Sequence, residues 1–168
     1  MTRRTTLLVA AIAAAGAAVA LVLVLTRSSA TSTESASGDA DRRAAVRVAR
    51  TKLGRILVDR RGHTLYLFLK DRHGRSACYG ACARIWPPAL ASGTPVGGPG
   101  VAGAKLTTTR RKDHTLQLVY NGHPLYALGA DTRPGAVSGE GFLGTWFVVS
   151  PAGDRVAEPG ASSSPTGY

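Results

Sequence analysis

The chain has 168 residues, with 21 Lys and Arg against 10 Asp and Glu, a formal net charge of +11. That length excludes a large multi-domain enzyme. Only 18% charged residues, with 20 Gly and 9 Pro, exclude a coiled coil or a long helical bundle.

Residues 7–25 (LLVAAIAAAGAAVALVLVL) carry no charge, with Arg3 and Arg4 before them and Arg27 after them. As a helix such a run would span about 28 Å, close to the hydrocarbon thickness of a bilayer. Positive charge on its N-terminal side keeps that end cytoplasmic and sends the remainder across the membrane. Residues 1–27 therefore read as a signal anchor in the plasma membrane. The alternative is a signal peptide cleaved near Ser28-Ser29-Ala30, which would release the protein. No Cys follows the run, which excludes a lipid-modified N-terminal Cys. Past residue 30 the balance is 18 − 10, or +8. Residues 28–43 are small and polar and predict a disordered linker, as do residues 156–168 at the other end. The folded domain is expected over residues 44–155.

That domain repeats itself. Slid by 60 positions without gaps, Gly62-His63 falls on Gly122-His123, and Leu65-Tyr66 on Leu125-Tyr126. Asp71 falls on Asp131 and Trp86 on Trp146. Ile56, Val58 and Phe68 fall on Leu116, Leu118 and Leu128. The copies cover about 53–90 and 113–150, and they are expected to share one core.

Each copy predicts a hairpin. In the first, Ile56–Val58 leads through a turn ending at Gly62 to residues 64–69. In the second, residues 115–120 alternate apolar and polar before Asn121-Gly122, the strongest two-residue hairpin signal. Pro124 limits the next strand's start. Further strands are expected at 45–51, 105–110 and 145–150, with a turn at Arg111–His114 and a Gly- and Pro-rich loop at 91–104. The fold class is mainly β, with seven or eight short strands. One short helix is expected around Cys78 and Cys82, where Cys78, Cys82 and Trp86 recur every four residues. Ser76 is its expected cap, and Pro87-Pro88 end it.

The segment Leu65-Tyr66-Leu67-Phe68-Leu69-Lys70-Asp71, with SACYGACARIWPP and YNGHPLYALGAD, resembles a bacterial family. It is the secreted repeat of unknown function, described as predicted lipoproteins with a Tyr-x-aromatic-x-x-Asp motif. The resemblance covers about residues 53–151. The second copy departs from it, with Leu128 at the aromatic position, and the lipoprotein Cys is missing. The resemblance implies location and architecture, and no chemistry.

Several side chains could carry chemistry. In an exported protein Cys78 and Cys82 are expected to be oxidised, as a structural staple. The alternative is a reducible pair, or a soft metal or haem-associated site. His63 and His123 are repeat-equivalent and would share a metal only if the copies converged, with His73 or His114 as further candidates. Tyr66 and Tyr126 are expected to donate to Asp71 and Asp131, closing each repeat with its own pair. Trp86 and Trp146 are expected as core anchors. Arg60-Arg61 and Arg110-Arg111-Lys112 read as solvated turn charge.

No nucleophile supports Asp71 and Asp131 as catalytic carboxylates, so no enzyme activity and no cofactor are expected. The expected function is an extracytoplasmic, β-rich binding module at the cell envelope. Its partners would be the membrane through residues 7–25, and an anionic envelope polymer, lipid headgroups or a partner protein, but no nucleic acid. The alternative is a redox-linked accessory domain holding a metal or haem, or cycling the Cys78–Cys82 disulfide.

Overall fold

The computed structural model describes residues 45–156. The expectations for residues 1–27 and 28–43, and for the tail beyond Val156, fall outside that span. No described helix is long and apolar enough to cross a membrane. The described residues form a compact unit of their own.

Eight short strands make up the described domain: β1 (Val46–Thr51), β2 (Gly54–Asp59), β3 (Tyr66–Phe68), β4 (Leu90–Ala91), β5 (Leu106–Arg110), β6 (Leu116–Tyr120), β7 (His123–Pro124) and β8 (Trp146–Val148). One short helix, α1 (Ala81–Ile85), interrupts them. β1 pairs antiparallel with β2, and β5 with β6, as equivalent hairpins of the two copies. The chain then turns at Gly62 (φ 89°) in the first copy and at Asn121-Gly122 (φ 50° and 81°) in the second. Positive φ at both central residues matches the type I′ geometry that Asn-Gly favours. Gly62 also has no room for a side chain, since a Cβ there would lie 3.0 Å from Pro134 Cβ.

After these turns the copies exchange strands. β3 of the first copy pairs with β8 of the second, with Tyr66 opposite Val148 and Phe68 opposite Trp146. The first copy's own return segment runs the other way. Its β4 pairs with β6, and Ala127 N–H donates to the Pro87 carbonyl at 2.9 Å. The bonds repeat in equivalent form: Leu69 to Thr145 at 2.9 Å, and Gly129 to Ile85 at 3.0 Å. Each copy is therefore completed by the closing strand of the other.

The pseudo-twofold axis runs between Tyr66 and Tyr126. Each backbone N–H donates to the other's carbonyl, at 2.8 and 3.0 Å. Both buried clusters draw on both copies. One gathers Val46, Leu57, Leu65 and Leu67 with Leu106, Leu118 and Leu125. The other gathers Ile56, Val58, Tyr66 and Trp86 with Tyr126, Trp146 and Val148.

Two sequence expectations need correction. The ungapped register fails in the central strands. Leu57 and Leu118 are equivalent, because their carbonyls accept from Leu65 N–H at 3.0 Å and Leu125 N–H at 2.9 Å. The second copy has one extra residue between β5 and β6, and one fewer between β6 and β7. The two changes cancel outside β6, so a gapless comparison misses them. The helix is also shorter than expected. It starts at Ala81 after Gly80, whose φ of 56° makes it an N-cap without a side-chain bond. Ser76 is not the cap. Its Oγ instead accepts from Cys78 N–H at 3.1 Å, closing a local turn before the helix.

Candidate functional site

The motif residues meet around the pseudo-twofold axis. Trp86 and Trp146, each 3% exposed, stack with ring centroids 4.0 Å apart and planes within 3°. Phe68 continues the stack on Trp146 at 4.1 Å. Tyr66 meets Trp86 edge-on at 5.2 Å, and Tyr126 meets Trp146 the same way at 5.1 Å. Gly139 lies where the chain passes the Trp86 ring, and a Cβ there would sit 2.5 Å from Cη2. Both tryptophans are core anchors.

The tyrosines and aspartates come together, but in exchanged pairs. Tyr66 donates its hydroxyl to Asp131 Oδ2 at 2.5 Å, and Tyr126 donates to Asp71 Oδ2 at 2.9 Å. The expected pairs within each repeat do not form. In extended backbone each residue advances about 3.3 Å, so a strand tyrosine cannot fold back onto the carboxylate five residues later. The antiparallel Tyr66–Tyr126 bridge points each ring toward the other copy's turn. Those turns are matched too: Asp71 N–H donates to Phe68, and Asp131 N–H to Leu128, both at 3.0 Å.

The second acceptor positions are also filled. Asp71 Oδ1 accepts from Ala77 N–H at 2.7 Å, and Asp131 Oδ1 from Ser138 N–H at 3.2 Å. Gly139 N–H donates to the Tyr66 hydroxyl at 3.2 Å. Burial holds both phenols well above their usual range, and the carboxylate partners add to it. Burial also raises Asp71 to about 6, against the pull of Ala77 N–H, the Tyr126 hydroxyl, Arg111 and Arg72.

Arg111, expected in solvent, is 4% exposed. Its guanidinium donates to Gln117 Oε1 at 2.6 Å, Ser76 Oγ at 2.9 Å and the Cys78 carbonyl at 2.9 Å. It also lies 4.4 Å over the Tyr79 ring. Ser76 Oγ is 2.8 Å from the Tyr126 hydroxyl, which joins this cluster to Asp71. Sequence reasoning passed over Ser76 as a network residue, Arg111 and Gln117. Gln117 gives no signal, because it falls at a polar position of the alternating run 115–120.

Cys78 and Cys82 form a disulfide with Cα atoms 5.3 Å apart, and Cys78 is fully buried. The sulfurs tie α1 to the segment that Arg111 holds. His63 Nδ1 lies 3.4 Å from Asp59 Oδ2 in its own turn, while His123 pairs with Tyr120 in the other hairpin. The antiparallel Tyr66–Tyr126 bridge carries the two histidines apart, so they do not converge. Among the described residues no three His, Cys, Asp or Glu side chains are grouped to hold a metal.

The surface offers a cleft of about 840 Å³ between the Asp59–Arg61 turn and residues 89–96. Leu65, Leu118 and Ala127 line it, with Arg60 and Arg61 at its edge. The described domain is strongly basic. Of 21 Lys and Arg, five lie outside residues 45–156, and of 10 Asp and Glu, four do, leaving (21 − 5) − (10 − 4), or +10. The acids are largely engaged. Asp71 and Asp131 hold the tyrosines, Asp59 holds its turn through Arg61 N–H and His63 N–H, and Glu140 accepts from Val148 N–H at 2.6 Å.

The family model described as a secreted repeat of unknown function matches residues 47–90 and 107–150. The two matches cover just over half of the chain, and they take in β1 and β5 as the first strand of each copy. No curated protein and no solved structure matches the chain. The chain belongs to the secreted repeat family, and that description fits an extracellular module.

Proposed function

We propose that this member of the secreted repeat family is a non-enzymatic binding module that holds an anionic polymer of the cell envelope against its basic surface. The observation that carries this reading is the charge distribution. A net +10 sits on the described domain, and four of its six acidic side chains, Asp59, Asp71, Asp131 and Glu140, are held by hydrogen bonds within the fold, while Asp113 and Asp154 are exposed. An outward cationic field attracts polyanions and strengthens as salt is lowered. Arg60 and Arg61, exposed at the edge of the 840 Å³ cleft, give that field a place to act. The pattern of Tyr, Asp and Trp supports a structural role for the motif, since these side chains are consumed in holding the two copies together.

The test is co-sedimentation of residues 40–168 with isolated cell-wall polymer, and titration with inorganic polyphosphate, across a salt series. Binding that weakens with salt and falls several-fold in Arg60→Glu/Arg61→Glu supports the reading. Absence of binding at low salt overturns it. A redox role would instead require a Cys78–Cys82 potential well above that of a structural bridge, measured by equilibration with glutathione.

A further inference from the structure

Three large apolar side chains are exposed at one end of the tryptophan stack: Leu69 (41%), Phe142 (47%) and Leu143 (79%). The backbone brings Leu69 to the turn that carries Phe142 and Leu143. Leu69 N–H donates to Thr145, and Thr145 N–H donates to Phe142. The Phe142 ring lies 5.8 Å from that of Trp86. Single exposed leucines are ordinary on a protein surface. This group differs because the chain holds one of them in an unfavourable conformation. Leu143 sits at φ 51° and ψ 22°, between Gly141 at φ 70° and Gly144 at φ 63°. A bulky residue at positive φ is rare, and glycine would fill the position without strain. Burial does not explain a leucine there, because its side chain is almost wholly in water.

We propose that this apolar tip docks on an anionic lipid surface. Lys70 and Arg72, both exposed, stand beside Leu69: Lys70 follows it in the chain, and Arg72 donates to its carbonyl at 2.6 Å. Apolar side chains that enter the headgroup region beside cations that meet anionic lipid are the usual composition of an interfacial contact. The sequence supplies proximity. Residues 26–44 separate the apolar run 7–25 from the domain, and 19 residues reach at most about 65 Å even when fully extended. With residues 7–25 retained as the expected anchor, a domain held that close to a bilayer meets it repeatedly. The inference takes the sign of the surface charge from the reading above, but it adds a site that polymer binding does not need.

The experiment compares wild type and Leu143→Gly in residues 40–168, using flotation with vesicles of equal parts phosphatidylglycerol and phosphatidylcholine. Polyphosphate titration and thermal unfolding run in parallel. The expected result is at least a tenfold loss of vesicle affinity in Leu143→Gly, with polyphosphate binding unchanged and Tm unchanged or raised. Vesicle binding that ignores the substitution overturns the proposal. So does a wild type that binds polyphosphate but no vesicles, which leaves the polymer reading standing. A dimer that Leu143→Gly turns into a monomer also overturns it, by assigning the tip to a second copy of the chain.

Discussion

Tyr66 donates its hydroxyl to Asp131, 65 residues away, and not to Asp71 in its own motif. With the reciprocal Tyr126–Asp71 bond, this makes the motif a lock between copies. Two results follow. Residues 45–98 expressed alone will not fold, because β3 loses its partner β8 and Tyr66 loses its acceptor. Circular dichroism of that fragment should show no cooperative melt. In the whole domain, Asp131→Ala leaves a buried phenol and one backbone donor, Ser138 N–H, short of an acceptor. It should destabilise by about 2–3 kcal/mol in urea unfolding, whereas a loss under 0.5 kcal/mol would remove the lock from the account.

Asp71 gives the domain an inverted acid response. Its folded carboxyl titrates at about 6, above its ordinary 3.8, because it is buried. The folded state therefore binds the proton more tightly than the unfolded chain does. Stability should rise as pH falls from about 7 towards 4, and the gain should be lost again as pH rises through 6. The gain is on the order of 1 kcal/mol, since the carboxylate keeps some contact with solvent. Asp71→Asn keeps an acceptor for Tyr126 and should flatten the response. Urea midpoints between pH 4.5 and 8 test both statements, and a profile unchanged by the substitution would exclude Asp71 as its source.

The local elements were legible because their signals are local. Apolar alternation and Asn121-Gly122 place β6 and its turn, the hairpin run of the first copy places β2 and β3, and β1 and β5 fall in the further strands expected at 45–51 and 105–110. The repeat was visible from six identical positions. Strand exchange was not, since β8 reads the same whether it closes onto its own copy or onto the other. The offset in β2 and β6 was hidden by two compensating length changes. A one-residue shift of that kind exchanges the two faces of the strand, which is why Leu57 shares a cluster with Leu118 while Ile56 and Val58 join the other cluster. Arg111 was read as solvent-facing because its sequence neighbours are. Its burial depends on Gln117 and Ser76, brought beside it only in the fold. The strain at Leu143 has no signature in residue type beyond its flanking glycines.

Arg111 and the pair Arg60-Arg61 should separate structure from function. Arg111→Ala leaves Gln117 Oε1, Ser76 Oγ and the Cys78 carbonyl without their buried donor, and should cost about 3 kcal/mol. Arg111→Lys restores charge but not the forked geometry, and should recover only part of that loss. Arg60→Ala/Arg61→Ala should change stability by less than about 0.5 kcal/mol, because both side chains are exposed. The same double variant should weaken polyphosphate binding. Calorimetric unfolding alongside the titration decides the assignment, and a large stability loss in the double variant would make the turn arginines structural.

Reducing Cys78–Cys82 should release a small part of the fold. The bond closes five residues, and the chain-entropy account gives about 2 kcal/mol for so short a loop. A helix of five residues does not persist unaided. Its first turn has no side-chain cap and no acidic residue to oppose the dipole. With the disulfide reduced, α1 should lose amide protection while β1, β2, β5 and β6 keep theirs, because the cluster of Val46, Leu57, Leu106 and Leu118 closes through those strands without either cysteine. Hydrogen exchange with and without dithiothreitol reads this directly. Uniform loss across all strands would show that the bond holds the whole domain, through the Arg111 segment it is tied to.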